Sequence, residues 1–385
     1  MTKRNELIFW FQTPPKVEKG AFNYVSEYWG SKVIYVINND FPEYRKATNW
    51  NDGDFGKAEL IMLSECNDKS AEIARIFNQY PKAIHVLSGF KNDIAKKIKK
   101  HILKPDVNAI AIAERNNMYG CFFEKTARKI WVEITYRIER RIFEPFIKAF
   151  FPMGKLGMRS YAHYGWSKEK MFPFMYNPVI HKKETTKKKE TAVDRKIRFL
   201  YVGRFYFKTK GIDTLMRATE KLKGNWQFDL VGGYGKDKDA VIDWANRQQN
   251  VNFIGSWQSQ DVCTNMMQYD VVVVPSKYDG WNLLPNEAIY AGIGTIITDA
   301  AVSDELISTS GAGKVVPADN SKAMATAMQS VVDKPELVDE WKKKAEEYRH
   351  KILPKTVGEY FMDVLDYTFY NCGQSRPQSP WLDNY

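Results

Sequence analysis

Short apolar runs punctuate the first half of the chain, separated by segments of helical period. Leu7 to Phe11, Val33 to Ile37, Leu60 to Leu63, Ala83 to Leu87 and Asn108 to Ala113 are too short for helices, and they do not alternate with polar residues. That pattern predicts strands covered on both faces, as in a parallel sheet. Gly20 to Trp29 and Lys69 to Tyr80 carry helical spacing between them, so a strand-helix alternation follows. The same rhythm restarts at "IRFLYVG" and continues through "FDLVGGYG", "VNFIGSW", "YDVVVVPS" and "GTIITD". Beyond these, "KPELVDEWKKKAEEYRHKI" and "VGEYFMDVLDYTFY" are helical by period and broken at Pro354.

Between the two series lies "HKKETTKKKETAVDRK", a polar run of seven basic and three acidic residues that reads as a solvated linker. The expected organisation is an α/β protein of two Rossmann-like parallel-sheet domains. The first covers residues 1–178, a charged linker 179–196 and the second 197–354; residues 355–385 form a C-terminal helix and tail, the helix packing back on the first domain. A chain of 385 residues with 44% hydrophobic and 14% aromatic content has enough apolar surface for two cores.

The formal charge of +11 admits nucleic acid, a membrane surface or an anionic substrate as partner. Part of it lies in the linker. Another part lies in "KNDIAKKIKKHILKPD", where six lysines flank Ile94, Ile98 and Ile102 in a basic amphipathic helix ended by Pro105. A second such stretch, Arg128 to Phe151, sets Trp131, Ile134, Ile138 and Ile142 along one helical face among arginines. Both patterns suit a helix lying in an anionic bilayer interface, and both suit a helix packed on the first sheet with its basic face in water. Cys66, Cys121, Cys263 and Cys372 form no CxxC pair, which argues against a disulfide framework and a zinc site. The apolar run before Pro14 and Pro15 is too short for a secretory leader, and no stretch approaches the roughly 20 apolar residues of a membrane span. A cytoplasmic protein is expected, peripheral on the inner face of the membrane if the basic helices bind lipid.

Candidate chemistry gathers in the second series. "SKYDGWNLLPNEAIYAG" places Asp279 and Glu287 between a buried strand and a helix, at a strand's carboxyl end, where open α/β sheets hold ligands. Gly203 and Arg204 follow the first strand of the series and lead to Lys210 and Gly211; two cations at that edge suit a diphosphate. Gly232 and Gly233 allow close backbone approach, as in a ligand-facing turn or in any tight turn. In the first series Glu114 follows "NAIAIA" as an acid/base or acceptor-positioning candidate, or as a helix cap. Two DxD strings, Asp52 to Asp54 and Asp237 to Asp239, read as chance matches in polar loops.

In order and spacing, GRF, KG, LVGGYG, FIGSW, PSKYDG and NEAIYAG resemble the C-terminal domain of family 4 glycosyltransferases, which have the GT-B fold. The resemblance is strong over Ile197 to Val332 and architectural in the first series. It implies two Rossmann-like domains facing across a cleft, and a retaining transfer of a hexose from a UDP- or GDP-linked donor to a saccharide or lipid-linked saccharide. It also implies no cofactor and no metal. By it Glu287 binds the ribose hydroxyls and Asp279 lies near the transferred sugar, one methylene shorter than the family's glutamate. Arg204 and Lys210 hold the diphosphate, and both are expected to face solvent when the site is empty. Trp281, Asn282 and Leu283 offer backbone N–H groups to the phosphate, and Gly20 faces the donor from the first domain. "DAAVSDELI" lacks the family's paired glycines, leaving Ala301 and Val302 to present backbone to the sugar. The aromatics of "GWSKEKMFPFMYNPVI" are expected between the domains. A glycosidase would use the two carboxylates but neither the cations nor the glycines. A nucleic-acid-binding protein would use the charge, but no recognition motif accompanies it. A binding-only relative without turnover is a further reading that Asp279 leaves open.

Overall fold

The computed structural model describes residues 4–41, 54–115, 122–178, 196–370, 373 and 375–382. It divides into two compact units, Met1–Val179 with Leu353–Tyr385, and Ile180–Ile352. The expected linker, apart from Lys196, and Asp52 and Gly53 of the first DxD string lie outside the described residues.

The first unit is built on a parallel sheet of β1 (Leu7–Phe11), β2 (Val33–Ile37), β3 (Glu59–Met62), β4 (Ile84–Ser88), β5 (Asn108–Ala113) and β6 (Ile147–Pro152), in the order β3-β2-β1-β4-β5-β6. Its helices are α1 (Lys19–Tyr28), α2 (Lys69–Gln79), α3 (Asp93–Ile102), α4 (Phe122–Phe143) and α5 (Gly154–His163). The continuous apolar runs are central strands: every residue of β1 and β2 is buried. Strand β6 departs from the sequence reading. The helical spacing runs on through Ile142, Phe143 and Phe146, but Pro145 lacks the N–H a helix needs, so α4 ends at Phe143 and Ile147–Pro152 pairs with β5.

The two amphipathic stretches have different fates. Ile94, Ile98 and Ile102 of α3 are in the core, so this stripe packs on the sheet and is not available to a bilayer. On α4, Val132 and Phe143 enter the core, whereas Trp131, Ile134 and Ile138 stay 59%, 54% and 49% exposed. The aromatics after α5, expected between domains, pack inside the first unit: Phe174 lies 5.5 Å from Phe151 and 6.1 Å from Phe22, ring to ring.

The second unit repeats the architecture with β7 (Ile197–Val202), β8 (Trp226–Val231), β9 (Val251–Gly255), β10 (Val271–Val274), β11 (Gly294–Thr298) and β12 (Gly313–Val316), ordered β12-β11-β10-β7-β8-β9 and parallel throughout. Its helices are α6 (Phe207–Lys210), α7 (Ile212–Thr219), α8 (Lys238–Ala245), α9 (Val262–Met266), α10 (Leu284–Ala291), α11 (Asp304–Ser310), α12 (Ser321–Asp333) and α13 (Glu336–Tyr348). Strands β7 and β10 are neighbours although β8, β9 and their helices separate them in sequence, so the loops that leave their carboxyl ends meet. The chain then returns to the first unit through α14 (Pro354–Phe369). Phe361 packs among Phe9, Phe22, Phe151 and Phe174, and Asp366 pairs with Arg4. Among the described residues no helix is long and apolar enough to cross a membrane.

Candidate functional site

The adjacency of β7 and β10 brings the Gly203–Gly211 loop against the loop that begins at Pro275. Backbone N–H groups of Lys277 and Tyr278 both donate to the Thr209 carbonyl, at 2.8 and 3.1 Å. Gly211 ends α6 with φ of +65°, and a Cβ there would overlap the Pro275 carbonyl oxygen, so only glycine fits this crossing. The zipped loops place the Lys210 ammonium in an ion pair with an oxygen of Asp279, whose other oxygen accepts from the Asn282 amide at 2.9 Å. The Lys210 and Asp279 side chains are only 15% and 11% exposed. The expectation that Lys210 faces solvent is thus corrected: a carboxylate 69 positions away covers it. Arg204 is exposed, its guanidinium 5.5 Å from the Tyr206 ring centroid. The buried Tyr201 hydroxyl donates to the Arg204 carbonyl at 2.7 Å. Burial, with the Asp279 charge adding to it, raises that hydroxyl above the usual phenol range, so it remains a donor.

Helix α10 begins at Leu284 with Pro285 in its first turn, where a missing N–H costs nothing. Glu287 stands half-buried in the same turn. Two side-chain bonds fix this helix to the preceding turn: Trp281 Nε1 donates to Asn286 Oδ1 at 3.0 Å, and Leu284 N–H donates to Asn282 Oδ1 at 3.0 Å. Asn286 is fully buried. Of the three backbone groups expected to face a phosphate, that of Asn282 already donates to the Ala301 carbonyl at 3.2 Å. Asp279 N–H likewise donates to Ala300 at 3.3 Å. The Ala300–Val302 turn therefore braces the acidic loop, and Val302 holds φ of +66°, a conformation that favours glycine and strains a β-branched residue. Ala301 and Val302 are both buried.

The remaining glycines sit where the strand ends crowd. Gly203 N–H donates to the Val231 carbonyl at 2.9 Å and Gly232 N–H to that of Gly255 at 2.8 Å. A Cβ on Gly232 would strike the Gly203 carbonyl and the Phe205 ring, while Gly233 lies against Ser256. Asp237 of the second DxD string accepts from the Phe207 N–H at 2.7 Å, a structural duty for that carboxylate. Sequence reasoning missed Lys277, which is nearly buried and pairs with Asp213 at 2.9 Å and Asp319 at 2.8 Å, tying the acidic loop to α7. No local spacing signals it, because its partners lie 64 and 42 positions away.

Glu114 and Gly20 belong to the first unit, apart from Arg204, Lys210, Asp279 and Glu287 in the second. Glu114 is exposed after β5; its Oε1 accepts from the Tyr176 hydroxyl at 2.5 Å and its carbonyl from Tyr161 at 2.9 Å. Gly20 is buried in α1, donates to the Asn177 carbonyl at 2.7 Å, and has Asn177 and Pro178 where a Cβ would go, so packing within the unit accounts for it.

Residues 182–348 match the family model described as glycosyl transferases group 1. An uncharacterized 41.2 kDa protein in the cps region of Klebsiella pneumoniae is 28% identical over 173 residues, 43% of this chain and 47% of that protein. A phosphatidyl-myo-inositol mannosyltransferase of Mycolicibacterium smegmatis is 22% identical over 170 residues, 43% of this chain and 44% of that protein. The chain thus spans less than half the length of each of these relatives. The crystal structure of Anabaena Alr3699/HepE in complex with UDP superposes with a TM-score of 0.70 at 12% identity, covering 94% of this chain and 100% of that one. This chain therefore has the GT-B fold, and its residues 182–348 are similar to the glycosyl transferases group 1.

Proposed function

We propose that the protein is a retaining glycosyltransferase. It moves a hexosyl group from a UDP- or GDP-linked donor to a saccharide or lipid-linked saccharide, in the synthesis of a cell-surface polysaccharide or glycoconjugate. The observation that carries this reading is the convergence of Arg204, the Lys210–Asp279 pair and the first turn of α10 at the carboxyl ends of β7 and β10. A departing nucleoside diphosphate accumulates negative charge as the bond to the sugar C1 breaks, and two cations there stabilise it. The acceptor oxygen forms the new bond to C1, and Glu114 in the first unit positions its hydroxyl or takes its proton. Glu287 is assigned to the ribose, because a carboxylate accepts two hydroxyl hydrogen bonds at once. Asp279 is assigned to the transferred sugar, with Lys210 shared between it and the diphosphate. The Anabaena structures with UDP and with UDP-glucose support a uridine nucleotide, and the mannosyltransferase relative supports a lipid-linked acceptor. In this reading Arg204 and Lys210 supply the positive charge, so turnover persists in excess EDTA.

The exposed stripe of Trp131, Ile134 and Ile138 on α4, with Arg128, Lys129, Arg137 and Arg141 exposed around it, supports docking on an anionic membrane surface at the cytoplasmic face. Each basic residue near such a surface contributes about 1 kcal/mol. The donor assignment is tested by thermal shift over a panel of nucleotide sugars, since a ligand at 100 times its Kd stabilises by about 2.7 kcal/mol. No shift with any uridine or guanosine diphosphate sugar overturns it. Membrane docking is tested by co-sedimentation with phosphatidylserine vesicles at low salt. Equal sedimentation of a Trp131→Ser/Ile134→Ser/Ile138→Ser variant overturns that part.

A further inference from the structure

The first unit contains a cavity of about 300 Å³ that the donor site does not use. It opens at the carboxyl ends of β4 and β5, bounded by Ser88–Asn92 after one strand and Ala113–Arg115 after the other, with Tyr136 and Glu139 of α4 forming a wall. Its volume is at the small end of the range for small-molecule sites. Glu139 is 6% exposed. Its Oε1 finds no hydrogen-bond partner among the described residues, and its Oε2 stands 3.6 Å from the Lys91 ammonium. Lys91 rests on the Tyr136 ring, 3.3 Å from its centroid.

A buried carboxyl oxygen without a partner is costly, and a protein that keeps one usually leaves it for a ligand or a water. Replacing an imperfect buried ion pair with uncharged groups is often neutral or stabilising, so stability alone does not explain Glu139. The donors and acceptors here are complementary to a pair of neighbouring hydroxyls. One hydroxyl donates to Glu139 Oε1, and the other accepts from Lys91 Nζ. Glu114, whose Oε1 already accepts from Tyr176, stands on the same wall and can accept from a third. The cation beside Glu139, Lys91, is already held by that carboxyl and by the Tyr136 ring, so it is not left over to attract an acidic ligand.

We infer that this cavity is a saccharide subsite in which Lys91 and Glu139 read the vicinal hydroxyls of one uncharged pyranose ring, excluding uronic acids. The inference rests on the glycosyltransferase reading for its biological sense, since the ring would belong to the acceptor. Its binding chemistry is testable separately. Burial pushes the Glu139 carboxyl up to about 7 despite Lys91, which is consistent with a group held for a ligand and not for the fold.

The test uses the full chain, with saturation-transfer NMR of methyl glucoside, galactoside, mannoside, N-acetylglucosaminide and glucuronide, alongside UDP calorimetry. The expected result is transfer to at least one neutral glycoside and none to the glucuronide. That transfer should fall at least five-fold in Glu139→Gln and in Lys91→Met, while UDP affinity stays within two-fold of the parent's. Glu139→Gln is nearly isosteric and removes a buried charge, so it should fold; its melting curve is recorded to verify this. Absence of transfer to every neutral glycoside, equal transfer to the glucuronide, or undiminished transfer in both variants overturns the inference. Failure of UDP, GDP and their sugars to bind the parent chain would instead overturn the donor reading and leave the subsite to stand or fall on the glycoside signals.

Discussion

Replacing Lys210 by methionine keeps the aliphatic stem and removes the ammonium, so it isolates the charge. That charge is paired with Asp279, and the two side chains are 15% and 11% exposed. Deleting one partner of a fully buried pair costs about 3–5 kcal/mol, because the other charge stays desolvated. Here some water reaches the pair and Asp279 keeps the Asn282 amide at 2.9 Å, so the expected loss is about 2 kcal/mol. A unit the size of Ile180–Ile352 shifts by about 2–4 °C per kcal/mol, which predicts a melting transition lower by roughly 4–8 °C. Transfer should slow as well, by about 10- to 100-fold, for the loss of a charge-assisted hydrogen bond of 1.5–3 kcal/mol. The double variant Lys210→Met/Asp279→Asn separates the two effects. With no buried charge left over, most of the lost melting temperature should return while transfer stays slow. Scanning calorimetry and a donor-hydrolysis assay on the parent, both single variants and the double variant complete the cycle. The reasoning is refuted if Lys210→Met melts within about 1 °C of the parent, or if the double variant is no more stable than the single.

Arg204 is exposed, so Arg204→Ala should slow transfer by about 10- to 100-fold with an unchanged melting transition; normal turnover in a steady-state assay contradicts its assignment. Glu287→Gln should weaken UDP binding in calorimetry, whereas Asp279→Glu should change the preference among sugars on one nucleotide; equal loss of UDP affinity in both contradicts that division of roles. The Glu139 carboxyl holds its proton to higher pH in the folded chain than in the unfolded one, so its contribution to stability is complete below about 4.5 and is lost as pH rises through about 7. Glu139→Gln should therefore raise the melting transition of the first unit relative to the parent's at pH 8 but not at pH 4, by the equivalent of up to about 3 kcal/mol; an equal offset at both pH values contradicts the burial argument.

The central strands were legible because nothing else fits them. Val271–Val274 is four consecutive β-branched residues, all buried, and it occupies the middle of its sheet. Two edge strands, β6 and β12, were not. Gly313–Val316 is four residues opening on glycine, and Ile147–Pro152 follows a helix so closely that their apolar periods merge. The stripes of α3 and α4 look alike in sequence, since an amphipathic period states that one face is apolar and not what covers it. For the site, the order of motifs indicated Arg204, Lys210, Asp279 and Glu287 as candidates, but not the pairing of Lys210 with Asp279. Side chains 69 positions apart meet only because β7 and β10 are neighbours. The Lys277 cluster and the Lys91–Glu139 pair were hidden for the same reason: each joins segments that the sheet topology, and not local spacing, brings together.

The turn at Val302 has a shape that its surroundings set in advance. A glycine at this turn would sample both signs of φ in solution, and a binding sugar would have to select one of them. A valine in the left-handed region costs on the order of 1–3 kcal/mol, and it is held there by burial while the carbonyls of Ala300 and Ala301 engage Asp279 and Asn282. The loop therefore has this shape without a ligand. Under the proposed function, strain settled during folding would not have to be settled again at each turnover, and fewer conformations would be lost on binding. Such a turn is also invisible to any search for glycine pairs, because its shape is kept by hydrogen bonds to the neighbouring loop and not by the residue that occupies it.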